Sequence, residues 1–208
     1  MRAGLRTGAV CVFVLLGVST QSALGGVIDF EGIADSTVLA NQIAGLHFGN
    51  AAVIDEFGLL NFGEFPPHSG IAVATDVGGP MSITFTAPVL SVAGFFTYGT
   101  QLSVKAFDSA SQLVASTTSA FQNNELLSGV PGSSPNEMLS VSAKSISRVT
   151  ITGDPSGGSF VLDDLTFSPS TTSIVPEPGT GSLASALIAA LLVARSIRRY
   201  RRVMQRVI

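Results

Sequence analysis

The stretch Met81-Ser82-Ile83-Thr84-Phe85-Thr86 sets apolar side chains at 81, 83 and 85 with polar ones between them. A period of two turns one set of side chains toward a core and the other toward water, which is the pattern of a half-buried β-strand. The same period recurs outward from this stretch, at Leu102, Val104 and Ala106 and again at Val149 and Ile151. Strand-like runs are expected at 27–30, 51–54, 71–75, 81–85, 90–96, 102–107, 113–118, 147–152 and 160–167. Turn formers separate them: Gly78-Gly79-Pro80, Asp108-Ser109-Ala110-Ser111 and Gly153-Asp154-Pro155-Ser156-Gly157-Gly158. No stretch among them carries helix caps around a 3.6-residue apolar period. Many short strands with Gly-rich turns predict an all-β fold, an antiparallel β-sandwich or jelly roll, over 26–170.

The chain has 208 residues, 46% hydrophobic and 12% charged, with a formal net charge of −3. That average hides a segregation. Arg2 and Arg6 lie at one end, and Arg195, Arg198, Arg199, Arg201, Arg202 and Arg206 at the other. Between Gly26 and Val175, thirteen acids face only Lys105, Lys144 and Arg148, which leaves that segment near −10. Such a middle repels phosphates, so a nucleic-acid partner is not expected. Its Val, Ile, Leu and Phe content argues against disorder. The single cysteine, Cys11, rules out a disulfide scaffold.

The two ends read as addresses. Residues 1–25 have a basic start, an apolar run over 8–18 and the small-residue pattern Ala23-Leu24-Gly25, as a secretory signal peptide does. An uncleaved anchor is the alternative, but the apolar run is short for a spanning helix. At the other end, Pro176-Glu177-Pro178 lies in a linker over 171–180, followed by an apolar segment over 181–194 and a basic tail over 195–208. The seventeen uncharged residues from Pro178 to Ala194 would reach roughly 25 Å as a helix, just short of the ~30 Å hydrocarbon core. Arginines stay on the cytoplasmic side, so the signal peptide and the tail both place the β domain outside.

The ordered combination of Pro176-Glu177-Pro178, apolar helix and arginine cluster resembles the PEP-CTERM sorting signal of Gram-negative bacteria. The resemblance implies an exosortase as processing partner and an exopolysaccharide-producing host. It also implies an inner-membrane-anchored precursor that ends in the cell envelope or outside the cell. A plain tail anchor is the alternative. Three phrases in the middle, Val27-Ile28-Asp29-Phe30-Glu31-Gly32, the stretch 104–115 and Phe160-Val161-Leu162-Asp163-Asp164-Leu165-Thr166-Phe167, are similar to the extracellular jelly-roll domains common among such proteins. Those domains look like carbohydrate-binding modules, and they often set first and last strands side by side.

That neighbourhood would bring Asp29 and Glu31 to Asp163 and Asp164. Calcium takes several hard oxygens, so this quartet is the expected metal site. The segment 55–70 carries Phe57, Phe62, Phe65 and His68 among Asp55, Glu56 and Glu64, and is the expected ligand-binding loop for glycans or matrix proteins. A packing role for its phenylalanines is the alternative. The segment 121–137 is a second long irregular stretch, and such loops commonly carry function. No catalytic residues are expected. No Gly-x-Ser-x-Gly elbow occurs, His47 reads as part of a strand edge, and a thiol nucleophile is absent from the mature domain. The reading is therefore a non-catalytic binding or structural module of the envelope or matrix. An envelope-anchored polysaccharide hydrolase is the runner-up.

Overall fold

The computed structural model describes residues 26–170. The expected signal peptide over 1–25, the Pro176-Glu177-Pro178 motif, the hydrophobic helix over 181–194 and the basic tail lie outside the described residues.

Eight strands follow one another without a helix among the described residues: β1 (Leu46–Gly49), β2 (Ala51–Asp55), β3 (Ala72–Val77), β4 (Met81–Tyr98), β5 (Ser103–Phe107), β6 (Leu113–Thr118), β7 (Glu137–Thr152) and β8 (Gly157–Pro169). All pairings are antiparallel. The ladder runs β2-β3-β8-β4-β7-β5-β6, with β1 on the other side of β4.

The long strands β4 and β7 change neighbours halfway. Ser82 to Phe85 of β4 pair with β1, and Arg148 to Thr152 of β7 pair with β5. Beyond the register shift between Thr84 and Val89, β4 pairs instead with β8, and β7 keeps only β4. The continuous ladder thus divides into a sandwich-like pair of layers, β1-β4-β7-β5-β6 and β2-β3-β8-β4-β7. One core cluster joins them, with Phe48, Ile83, Val104 and Ile151 from the first layer and Val53, Phe96, Phe160 and Leu162 from the second. Burying each such side chain contributes about 1.5–3 kcal/mol relative to leaving it in water. Among the described residues both apolar clusters run from Ile28 to Phe167, so the segment 26–170 carries a core of its own.

The two runs read as separate strands, 81–85 and 90–96, are one strand of 18 residues. The apparent break is a bulge. Val89 and Ser91 of β4 face adjacent residues of β8, Pro169 and Ser168, so Leu90 is the extra residue and is exposed. A bulge flips the alternation, and the alternating buried set moves from 81, 83, 85 and 89 to 92, 94, 96 and 98, with Thr97 buried as well. The run at 27–30 is not a full strand. It makes one antiparallel bridge, Ile28 to Leu165, sealed by Ile28 N–H to Leu165 O at 2.9 Å and the return bond at 3.0 Å. The first and last segments of the domain are nonetheless neighbours, as the resemblance to jelly-roll domains implied. The hairpin at Asp108-Ser109-Ala110-Ser111 is as expected. Asp108 Oδ1 accepts from the N–H groups of Ala110 and Gln112, both at 2.9 Å. The first half of β7 escaped the sequence reading, and β1 contains the strand edge read at His47.

Candidate functional site

The segment 55–70 leaves β2 and folds back over the outer face of the β2-β3-β8 layer. Leu60 and Phe65 pack there on Val73 and Val161 and form a second, smaller apolar cluster. This cover explains why Ala72, Val73 and Ala74 are buried in succession, and likewise 159 to 163. A strand covered on both faces loses its alternation.

Carboxylates fasten the segment at both ends. At its start, Asp35 Oδ1 accepts from Asp55 N–H at 3.0 Å, and Asp55 Oδ1 accepts from Phe57 N–H at 2.9 Å. The Ser36 hydroxyl and the Asp55 amide hold Asp35 below the usual carboxylate range. At its end, Glu31 Oε1 accepts from the N–H groups of Ile71 at 2.7 Å and Ala72 at 2.8 Å. Asp163 Oδ2 accepts from Ser69 N–H at 2.8 Å. Asp164 Oδ2 lies 2.6 Å from His68 Nδ1, and its Oδ1 accepts from Ser69 Oγ at 2.9 Å.

Adjacent strand residues ordinarily point to opposite faces. Here Ala93 and Phe95 of β4 pair with Thr166 and Asp163, so β8 carries one extra residue between them. Asp164 takes up this bulge with φ 46°. A bulge re-aims a side chain, and both carboxylates reach the same turn. The His68 ring in turn stacks flat on Phe95, centroids 3.5 Å apart and planes 5° apart.

The expected quartet is therefore brought to one region, but as separate grips. Glu31, Asp163 and Asp164 each hold part of 68–72, while exposed Asp29 accepts only from Glu31 N–H at 3.3 Å. Among the described residues, no group of three or more His, Cys, Asp or Glu is arranged to hold a metal ion. Of the expected ligand loop, Phe57 is 82% exposed and Phe62 47% exposed, whereas Phe65 serves packing. His68 belongs to the carboxylate clasp. Ser69 Oγ donates to Asp164 rather than to the imidazole, so the trio is not wired as a Ser-His-Asp relay. His47 lies on β1 with Nδ1 2.8 Å from Asn41 Oδ1.

The second long segment, 119–136, joins the first. Leu126 N–H donates to Glu64 O at 3.0 Å, and Asn136 Nδ2 donates to Pro67 O at 3.2 Å. Asn124, with no exposed surface, pins this segment to β4. Its Oδ1 accepts from Tyr98 N–H at 2.7 Å, and its Nδ2 donates to Phe96 O at 2.9 Å and Ser134 O at 3.0 Å. Tyr98 donates its hydroxyl to Glu137, and burial with that carboxylate pushes the phenol up to about 12. Neither Asn124 nor the exposed Leu126 and Leu127 stood out in the sequence. A lone asparagine in a Gly- and Pro-rich loop has no periodic signature.

Beneath the first segment lies a cleft of about 280 Å³. Ile54, Leu59, Leu60, Phe65, Phe160 and Val161 line it, with Asn61 and Thr75 as its polar side chains. Thr75 Oγ1 already donates to Phe160 O at 3.0 Å.

Burial is the main cause that raises Asp163 from 3.8 to about 6, with the neighbouring Asp164 charge adding to it. Burial raises Asp76 as well. A carboxyl whose folded pKa lies above its unfolded one holds more protons in the folded state between the two values, so stability falls as pH rises through that window. The melting temperature is therefore expected to decline between about pH 4 and pH 6, by the equivalent of at most about 3 kcal/mol from Asp163. Asp163→Asn should flatten that slope. An unchanged slope in a pH series of melts would move the effect to other groups.

No protein-family model matches the chain, and no curated protein does. Among solved structures the chain is similar to the K2 cleaved adhesin domain of Lys-gingipain, with 11% identity, a TM-score of 0.47 and coverage of 69% of this chain and 99% of that one. It is also similar to an arabinose-bound MgGH51 α-L-arabinofuranosidase, with 16% identity, a TM-score of 0.42 and coverage of 68% of this chain. It spans 25% of that enzyme.

Proposed function

We propose that this chain is an exported, exosortase-sorted protein of the cell envelope or extracellular matrix, and that its β domain is a non-catalytic binding module. The observation that carries the binding reading is the pair of mutually hydrogen-bonded segments, 55–70 and 119–136, pinned to the sheet while exposing Phe57, Phe62, Leu126 and Leu127. Apolar side chains held out on fastened backbone lose little entropy on contact, which favours binding. The apolar lining of the adjacent cleft supports binding over polysaccharide hydrolysis, which works through a pair of facing carboxyl groups. A jelly-roll arrangement belongs to the same proposal, supported by the Ile28–Leu165 bridge that joins the two ends of the domain.

Export and sorting rest on the sequence of the two ends. Replacing Pro176-Glu177-Pro178 by alanines should leave full-length protein in the inner membrane, seen by fractionation and blotting. Unaltered release would make the tail an ordinary anchor. Calcium at Asp29, Glu31, Asp163 and Asp164 is the competing proposal, and a melting temperature raised by calcium over a chelated control would favour it. The binding reading is tested with domain 26–170 on purified matrix polysaccharide and matrix protein. Phe57→Ala with Phe62→Ala should weaken capture at least about tenfold. Leu90→Ala, exposed at the β4 bulge, should not. Equal loss from both would place the contact elsewhere.

A further inference from the structure

The exposed apolar residues of the loop pair lie in a strongly one-signed setting. Segments 55–70 and 119–136 hold Asp55, Glu56, Glu64 and Glu125 and no lysine or arginine. Glu64 and Leu126 are joined through their backbones at 3.0 Å, which sets an acidic residue beside an exposed leucine. Within their own loops Glu64 accepts from Asn61 at 2.8 Å and Glu125 from Asn123 at 3.1 Å, neutral donors that leave both charges in place. The three cations of the domain lie elsewhere, Lys105 on β5, Lys144 at the middle of β7 and Arg148 in its second half. Arg148 is further engaged over the Phe107 ring, 4.8 Å from its centroid.

These features select among occupants. An anionic polysaccharide or lipid surface would be repelled by the acids. A neutral glycan needs convergent polar handles, and the cleft beside the loops offers Asn61 and an already engaged Thr75. An apolar cleft of about 280 Å³ instead suits the side chain of a polypeptide, since protein contacts centre on an apolar anchor seated in a pocket. The acids of the two loops complement cationic residues flanking that anchor and would speed encounter.

We infer that the loop pair docks a polypeptide segment that combines an apolar anchor with flanking lysines or arginines, the anchor entering the cleft beside Leu59 and Phe65 and the cations meeting Glu56, Glu64 and Glu125. This inference rests on the binding-module reading and names its partner chemistry. Matrix contact through the loops could hold with another partner, and the glycan arm above reads that case separately.

The test titrates domain 26–170 with a fluorescent synthetic peptide of alternating leucine and lysine, and with its leucine–glutamate counterpart. The lysine peptide should bind and the glutamate peptide should not. Binding should weaken steeply with salt. Glu56→Lys and Leu127→Ser, both at exposed positions, should each lower affinity at least about tenfold while leaving the melting temperature unchanged. Lys144→Glu, at the exposed middle of β7, should leave the affinity of the loop site unaltered. Absence of binding, equal binding of both peptides, or full affinity in Glu56→Lys and Leu127→Ser would overturn the inference. Loss of matrix polysaccharide capture in the Phe57/Phe62 variant, with no binding of the lysine peptide to wild type, would retain the module and discard this partner.

Discussion

Asn124→Ala is expected to destabilise the domain by about 3–5 kcal/mol, more than any other single loop substitution. Its carboxamide makes three hydrogen bonds, from Tyr98 N–H and to the carbonyls of Phe96 and Ser134. Alanine leaves the Tyr98 N–H and the Phe96 carbonyl without this partner in a place that water does not reach, since Asn124 has 0% exposure, while the more exposed Ser134 carbonyl can turn to water. A buried polar group left unpaired costs about 1–3 kcal/mol, more than the net worth of a hydrogen bond made in exchange with water. For a domain of this size that corresponds to a fall of roughly 10 °C in melting temperature. The neighbouring Asn123→Ala is the control. Its side chain bonds only within the loop, to Glu125, so its loss should cost less than about 1 kcal/mol. Equal effects would mean that segment 119–136 is held by something other than the Asn124 pin.

Gly157→Ala is expected to cost about 3 kcal/mol, for two separable reasons. Gly157 has φ 82°, where a Cβ costs about 1–2 kcal/mol. In addition, a Cβ there would stand 2.4 Å from Gly78 N and 2.9 Å from Gly79 N, both backbone atoms that cannot swing away. Relieving the collision means moving the turn between β3 and β4 away from the start of β8, where Val77 pairs with Gly157. The next residue isolates the terms. Gly158 has φ 71°, but a Cβ there meets nothing within 4 Å. Gly158→Ala should therefore show the backbone term alone. The difference between the two variants in chemical denaturation measures the close approach of the two turns. If both behave alike, the approach contributes nothing.

The sandwich-like fold was legible because most strands bury one face only. Met81, Ile83 and Phe85, or Val104 and Ala106, announce themselves by period. What the period could not show was continuity. The bulge at Leu90 flips the phase and makes one strand look like two. The first half of β7 has only Leu139 and Val141 as buried anchors, among serines, and was hidden for that reason. The candidate site was legible in outline. Chain-end adjacency brought Glu31 to the same neighbourhood as Asp163 and Asp164, and the Phe-rich loop was recognisable by composition. Which oxygen meets which donor was not legible, because it depends on a bulge at Asp164 and on the return path of residues 68–72. Both are set by tertiary packing. The second half of the proposed binding surface, at Leu126 and Leu127, is placed by a hydrogen bond between Glu64 and Leu126, 62 residues apart in sequence.

Glu31, Asp163 and Asp164 fasten the end of segment 55–70 to the sheet without an ion, through backbone N–H groups and His68. Amide hydrogen exchange of domain 26–170 in chelated, metal-free buffer tests it most directly. The amides of Ser69, Ile71 and Ala72, bonded to carboxylates at 2.7–2.8 Å, should exchange slowly, as strand amides do, and Glu31→Gln should release Ile71 and Ala72 in particular. Rapid exchange at all three that turns slow only when calcium is added would contradict the account and make the same carboxylates ligands of an ion.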